Sequence, residues 1–301
     1  MSRPRLGLVL SAGGLRGAGH LGVLRRLIAA RIPIDVMVGV SAGAVVGAYY
    51  AVVGLSIDEI IADAPRMRLR HLLLHGLSLR VPPRFAPWIR SHTGILPARL
   101  AALERAGFDT LHHGIRGFGV VCHDTRTRTP WYFSTAESHG VTVAAAVKAS
   151  AAVPIVFPPR SQWVNGRELR LVDGGFSDGV PIAFARSAAL GATHLVVSDC
   201  RRAGPPVPAD DRIICLRPEL RGLGALRSVS FSLDQAVAAG ESAVTDATIA
   251  RLRAWLDDAA PAERTQDGAV GVGIEPGQKA GEILGAAVRI ENAPRAHMER
   301  H

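Results

Sequence analysis

The chain opens with two short apolar runs on either side of a helical pattern. Leu6 to Leu10 is a β-prone run that ends at Ser11 and then Gly13 and Gly14. A short continuous apolar run with a glycine stop predicts a buried strand of a parallel sheet. Ala18, Leu21, Leu24 and Ile28 then recur at helical spacing, which predicts an amphipathic helix to about Arg31. Pro33 breaks that pattern, Val36 to Val40 predicts a second strand, and a helix of small and apolar residues follows from Ala42 to about Val53. Strand, glycine loop, helix, strand and helix in this order imply a parallel sheet with helical crossovers.

Further strands are expected at Phe118 to Cys122, Pro130 to Phe133, Leu169 to Val172, His194 to Val197 and Ile213 to Leu216. Helices are expected at Thr142 to Ser150, at Ile182 to Leu190, and as one closing helix carrying Val237, Val244, Leu252 and Trp255. The fold class is therefore α/β, and residues 1–260 are read as one domain. Beyond about Pro261 the pattern weakens and glycine increases, so residues 261–301 are expected to form a poorly ordered tail.

One stretch differs in character. Between Ala64 and Leu103 there is no aspartate or glutamate, whereas Arg66, Arg68, Arg70, Arg80, Arg84, Arg90 and Arg99 are basic. Leucines, Phe85 and Trp88 are interleaved, and Pro82, Pro83 and Pro87 forbid one continuous helix. This reads as a cationic, partly apolar insertion over the sheet, about residues 64–103.

Composition adds little to that. With 48% hydrophobic and 20% charged residues, the 301-residue chain is globular. The formal net charge of +9 is almost wholly arginine, with Lys148 and Lys279 the only lysines. Such charge suits an anionic membrane surface as well as nucleic acid. No helix-turn-helix, zinc-finger or aromatic-and-basic RNA pattern accompanies it, so no nucleic-acid partner is expected. Cys122, Cys200 and Cys215 have no metal-ligand spacing and read as small buried fillers in a reducing compartment. The apolar start is too short for a signal peptide, and Ala42 to Leu55 falls short of a membrane span. A cytoplasmic protein with peripheral contact to anionic membrane is the expectation.

The chemistry begins at Gly39-Val40-Ser41-Ala42-Gly43, a G-x-S-x-G sequence between an expected strand and an expected helix. A sharp strand-to-helix turn strains the serine backbone and exposes its hydroxyl, and the flanking glycines let strand and helix approach. Ser41 is thus the candidate nucleophile. A Ser-His-Asp triad fits poorly, because the elbow follows only the second strand and no histidine stands in a catalytic context. His194 lies in an apolar strand, and His20 is read as packing or capping locally. Asp173 is the better partner. It ends a strand before Gly174 and Gly175, which predicts a carboxylate at the carboxyl edge of the sheet, where burial would raise its pKa. Ser11-Ala12-Gly13-Gly14-Leu15-Arg16-Gly17 supplies backbone amides suited to an oxyanion, with Gly13, Gly14 and Leu15 as donors. Arg16 either orients that loop or binds an anionic group.

Glycine loop, early G-x-S-x-G and later D-G-G, in this order, resemble the patatin-like phospholipase family. Leu21-Gly22-Val23-Leu24, Thr93-Gly94-Ile95-Leu96, Phe108-Asp109-Thr110-Leu111 and Ala149-Ser150-Ala151-Ala152-Val153-Pro154-Ile155-Val156-Phe157-Pro158 extend the resemblance over roughly residues 5–220. It implies a three-layer α/β/α sandwich with a mainly parallel sheet and a Ser-Asp dyad without histidine. The implied activity is hydrolysis of lipid acyl esters, of phospholipase A or lysophospholipase type, through an acyl-enzyme and with no cofactor or metal. Two positions depart from the family pattern. Ala12 stands where the loop usually begins with glycine, and Gly179 replaces the asparagine common before the proline after D-G-G, while Asp178 is retained.

Two other readings compete. Gly17-Ala18-Gly19-His20-Leu21-Gly22 matches the dinucleotide-binding G-x-G-x-x-G, but it begins well after the strand end, and Asp35 precedes the second strand instead of closing it. The arginine-rich insertion alone would also suit a basic membrane-surface binding module without catalysis.

Overall fold

A computed structural model describes residues 3–66, 69–220 and 233–257. The expected tail from residue 261 lies outside them.

The first half of the chain alternates as the apolar pattern predicts. β1 (Leu6–Leu10) leads through a 3-10 turn (Gly14–Ala18) into α1 (Gly19–Ala29), followed by β2 (Val36–Val40), α2 (Ala42–Ala51) and α3 (Ile57–Asp63). The basic segment folds as α4 (Leu69–Ser78), α5 (Ala86–Arg90) and α6 (Leu96–Arg105). Then come β3 (Gly117–Asp124), β4 (Thr129–Ser134), α7 (Val143–Ser150), β5 (Arg160–Val164), β6 (Arg167–Asp173) and α8 (Ile182–Arg186). β7 (His194–Ser198), β8 (Ile213–Leu216), α9 (Leu233–Ser242) and α10 (Asp246–Asp257) complete the described elements.

The strands form one mixed, mostly parallel sheet in the order β5-β6-β3-β2-β1-β7-β8, with β4 also paired to β3. β3, β2, β1, β7 and β8 are mutually parallel, whereas β4 and β6 run antiparallel to β3, and β5 antiparallel to β6. Side-chain alternation divides the core in two. Leu6, Leu8, Leu10, Met37, Phe118 and Val120 join one cluster with α1, α2, α7 and α9, and Val9, Val36, Val38, Val40 and Val121 join another under Phe184 and Ala185 of α8. The sheet is therefore flanked by helices on both faces.

Several elements differ from their sequence expectations. The closing helix is two helices, because Thr245 caps a new start by accepting the Thr248 amide at 3.1 Å. The helix expected to reach Leu190 stops at Arg186. β5 carries apolar side chains only at Trp163 and Val164, too few to signal a strand. α3 is announced by a capping box, with the Ser56 hydroxyl on the Glu59 amide and the Glu59 carboxylate on the Ser56 amide. Cys122 and Cys200 are buried as expected, but Cys215 is exposed, on β8.

Candidate active site

The ladder registers explain how residues 132 positions apart come to meet. β2 pairs with β3 as far as Val40 opposite Val121, and the next β3 residue, Cys122, pairs with Asp173 of β6. β6 thus enters, from the opposite direction, the lane that β2 leaves at Ser41. The sequence pattern places Asp173 at the carboxyl edge because its strand ends there. In the fold that strand runs inward from this edge, antiparallel to β3, and delivers the carboxylate to the end of β2. The Ser41 hydroxyl donates to Asp173 Oδ2 at 2.5 Å.

Ser41 stands at the N-cap position of α2 with φ 55° and ψ −120°, a sparsely populated conformation that costs on the order of 1–3 kcal/mol. Its hydroxyl does not cap the helix and is left to the carboxylate. The turn closes only without side chains on either side. A Cβ at Gly39 would lie 2.4 Å from the Gly43 carbonyl oxygen, and one at Gly43 would lie 2.3 Å from the Leu10 oxygen.

α7 holds both residues. Ser150 is fully buried, and its Oγ accepts the Ser41 amide at 2.9 Å while donating to the Val121 carbonyl at 2.6 Å. Two residues on, the Ala152 carbonyl accepts the Asp173 amide at 3.1 Å. In the sequence, Ser150 stands out only as the end of an expected helix and as part of a family block, with no role of its own. The signal available was a polar residue on the apolar face of an alanine-rich helix.

Asp173 is 6% exposed and Ser41 4%. Burial pushes the Asp173 carboxyl above its usual range, and the hydrogen bonds from Ser41 and from the Gly175 amide, the latter at 2.8 Å, offset part of that rise. Gly174 packs so closely that a Cβ would lie 2.2 Å from the Val121 oxygen, which keeps the D-G-G turn against β3.

The glycine loop lies between these parts. A Cβ at Gly17 would meet Ala42 Cβ at 2.5 Å, and one at Gly175 would meet Ala12 Cβ at 3.0 Å, so the loop touches both the elbow and the D-G-G turn. The Ser41 amide is spent on Ser150, but the amides of Gly13, Gly14 and Leu15 find no acceptor among the described residues. Gly14 takes φ 55°, a left-handed turn suited to glycine. Ala12 does not have positive φ, and its amide donates to the Gly179 carbonyl at 3.0 Å. Both departures from the family pattern therefore meet in one backbone hydrogen bond that any residue pair could make. Arg16 is turned away from the elbow. Its guanidinium donates to the Cys200 and Leu220 carbonyls at 2.9 and 2.7 Å and ties the loop to the segments after β7 and β8, so of the two roles open to it, orienting the loop is the one its contacts fit. Beside the D-G-G turn, Tyr132 donates to Asp178 at 3.2 Å.

Three of the described histidines are engaged in other contacts. His20 is buried, within 2.8 Å of Ser198 Oγ and 2.9 Å of the Ser11 carbonyl, and burial pulls its pKa down to about 4. His194 opens β7 opposite Leu6, at the other end of the sheet strands from Ser41, where it contacts Thr193 and the Trp255 ring. His123 bonds the Ser177 hydroxyl. The glycines of the G-x-G-x-x-G match sit at close packing contacts. A Cβ at Gly22 would lie 1.9 Å from the Val237 oxygen of α9, and one at Gly240 would lie 2.0 Å from the Gly19 oxygen.

A helix-flanked mixed sheet with a strained serine elbow at the end of its second strand defines a class of α/β protein. Residues 8–186 match the patatin-like phospholipase family, and the chain belongs to that family. It is 30% identical over 187 residues to an uncharacterized NTE family protein of Mycobacterium bovis, covering 58% of this chain and 27% of that one. It is 27% identical over 208 residues to the human patatin-like phospholipase domain-containing protein 6, covering 64% of this chain and 13% of that one. The chain thus spans about a quarter or less of the length of these relatives. Among solved structures, VipD from Legionella pneumophila shares the fold with a TM-score of 0.52 at 14% identity, covering 86% of this chain and 67% of that one.

Proposed function

We propose that residues 1–260 form a serine hydrolase that cleaves lipid acyl esters through Ser41 and Asp173. The observation that carries this reading is the 2.5 Å hydrogen bond from the strained Ser41 hydroxyl to a buried carboxylate of raised pKa. A carboxylate so placed is a stronger proton acceptor than one in water.

Asp173 Oδ2 takes the hydroxyl proton as Ser41 Oγ bonds to the ester carbonyl carbon. The carbonyl electron pair moves onto oxygen, where the amides of Gly13, Gly14 and Leu15 stabilise it. Collapse expels the leaving alcohol, which receives the proton from Asp173, and leaves an acyl-Ser41. Water then gives a proton to Asp173 and attacks the acyl carbon. Collapse of that second intermediate releases the fatty acid and returns the proton to Ser41. Every step uses groups of this chain, and the roles of Gly39, Gly43, Gly174 and Gly175 are to permit the close approaches that align them.

Family membership supports a lipid as the acyl donor, with phospholipase A or lysophospholipase action reached by peripheral contact with a membrane. No helix among the described residues is long and apolar enough to cross a membrane. The test is product analysis on a panel of diacyl and lysophospholipids, neutral glycerides and thioesters. Wild type should release fatty acid from phospholipid or lysophospholipid, and Ser41→Ala and Asp173→Asn should release none while remaining folded. Turnover by either variant at the wild-type rate would refute the dyad.

A further inference from the structure

Of the seven large apolar side chains that stand exposed among the described residues, six lie on the basic helical segment or on two loops that continue from the Ser41 site. Leu73 and Leu77 belong to α4, Phe85 and Trp88 to the start of α5, Ile155 to the loop after α7, and Phe176 to the turn after Asp173. Trp88 is 71% exposed and Ile155 91%. Solvated apolar residues are ordinary when scattered singly, but four of these lie on two helices that pack on each other.

α4 and the Ile155 loop are mechanically joined. Arg80 Nη1 donates to the Ile155 carbonyl at 2.6 Å, and Gly76 of α4 presses on the same loop so closely that a Cβ would lie 2.3 Å from the Val156 oxygen. Three residues before Ile155, the Ala152 carbonyl holds the Asp173 amide. Ile155 itself has φ 77°, a costly conformation for a β-branched residue. α4 therefore rests on the loop that positions the carboxylate.

Charge selects the occupant. Arg70 shares a helical face with Leu73 and Leu77 at spacings of three and four, and it, Arg84 and Arg90 are exposed. The Arg84 guanidinium lies 4.8 Å from the Phe85 ring centroid. No acidic residue occurs between Ala64 and Leu103, and the adjacent Asp63 pairs with Arg66 and Arg99, not with these three arginines. Aromatic and aliphatic side chains bordered by arginines, on a segment that carries no acid of its own, match an anionic bilayer surface, where rings enter the interface and guanidinium groups meet phosphates.

We propose that α4 and α5, with Ile155 and Phe176, form a docking surface for an anionic lipid bilayer, entered by Phe85 and Trp88. The choice of occupant rests on the lipid acyl hydrolase reading, and the surface delivers substrate to Ser41 in place.

The test uses the full chain carrying Ser41→Ala, so that lipid is not consumed, and vesicles of phosphatidylcholine with or without phosphatidylglycerol. Sedimentation should show binding that is stronger with phosphatidylglycerol and weakens with salt, and Phe85→Ser/Trp88→Ser should weaken it by about tenfold or more. Arg70→Gln/Arg84→Gln should weaken binding by about tenfold and remove most of its salt dependence. In the Trp131→Phe/Trp163→Phe/Trp255→Phe background, which leaves Trp88 as the sole tryptophan, the emission should shift to the blue on phosphatidylglycerol vesicles and be quenched by brominated acyl chains, a readout that leaves the docking surface itself unaltered. Unchanged emission, equal binding to both vesicle types, or undiminished binding by Phe85→Ser/Trp88→Ser would overturn the proposal. With Ser41 restored, the Phe85→Ser/Trp88→Ser protein should hydrolyse a water-soluble short-chain ester at the parent rate. Loss of that rate in a folded variant would mean that these residues serve the site and not docking. A parent that docks but never hydrolyses the ester would refute the hydrolase reading and leave the docking surface standing.

Discussion

Ser150→Ala removes one hydroxyl that serves two buried backbone groups. The Ser41 amide loses its acceptor and the Val121 carbonyl loses a donor. Each buried polar group left without a partner costs about 1–3 kcal/mol, so a total of about 2–6 kcal/mol is expected, or a fall in Tm on the order of 10 °C. The catalytic effect should exceed what lost stability explains, because the amide lies at the residue held at φ 55°. Once freed, that backbone can relax and withdraw the hydroxyl from Asp173. We expect kcat on a short-chain nitrophenyl ester to fall about 100-fold at a temperature where the variant is fully folded, with KM little changed. Ser150→Thr keeps the hydroxyl and should recover part of kcat. The assay is steady-state kinetics alongside thermal unfolding by circular dichroism. Wild-type kcat in a folded Ser150→Ala protein would refute the claim that α7 aligns the nucleophile.

Other outcomes follow from the same geometry. Asp173 must be ionised to accept a proton and its pKa is raised, so the acid limb of kcat/KM should lie above the ordinary carboxylate value of about 3.9; a limb at or below that value would contradict the burial argument. The raised pKa also means that the folded state holds this proton more tightly than the unfolded chain, so the stabilisation is lost as pH rises through it. Asp173→Asn should therefore raise Tm at pH 7 while abolishing activity, and a lower Tm would count against the argument. His20, with a folded pKa of about 4, should contribute stability that is complete above about pH 6.5 and lost toward pH 4, by about 3 kcal/mol, and His20→Gln should flatten that part of a stability–pH profile. Gly43→Ala places a Cβ 2.3 Å from the Leu10 oxygen and should cost about 3 kcal/mol or more by chemical denaturation.

Much of this architecture is written in local pattern. The apolar runs of β1 and β2, the glycines at 39 and 43 and the D-G-G turn each declare a local conformation, and the two candidate catalytic residues follow from them. What sequence could not supply is the pairing of β6. Whether Asp173 arrives parallel or antiparallel depends on which lane of β3 is free, a long-range fact with no local signature. The same holds for Ser150, whose hydroxyl matters only because Val121 and Ser41 lie beside it. The glycines at 19 and 22 mislead in the opposite sense, since their spacing imitates a phosphate loop while their cause is the close approach of α9. Arg16 could be placed on the loop, but its orientation is set by the Cys200 and Leu220 carbonyls, far away in the chain.

The proposed hydrolysis needs Ser41 as the nucleophile and Asp173 as its proton acceptor. Incubation of the full chain with a fluorophosphonate, followed by peptide mapping, tests it most directly. One adduct is expected, on Ser41, forming rapidly in wild type and very slowly in Asp173→Asn. Modification of another residue, or equal labelling of Ser41 in both proteins, would contradict it.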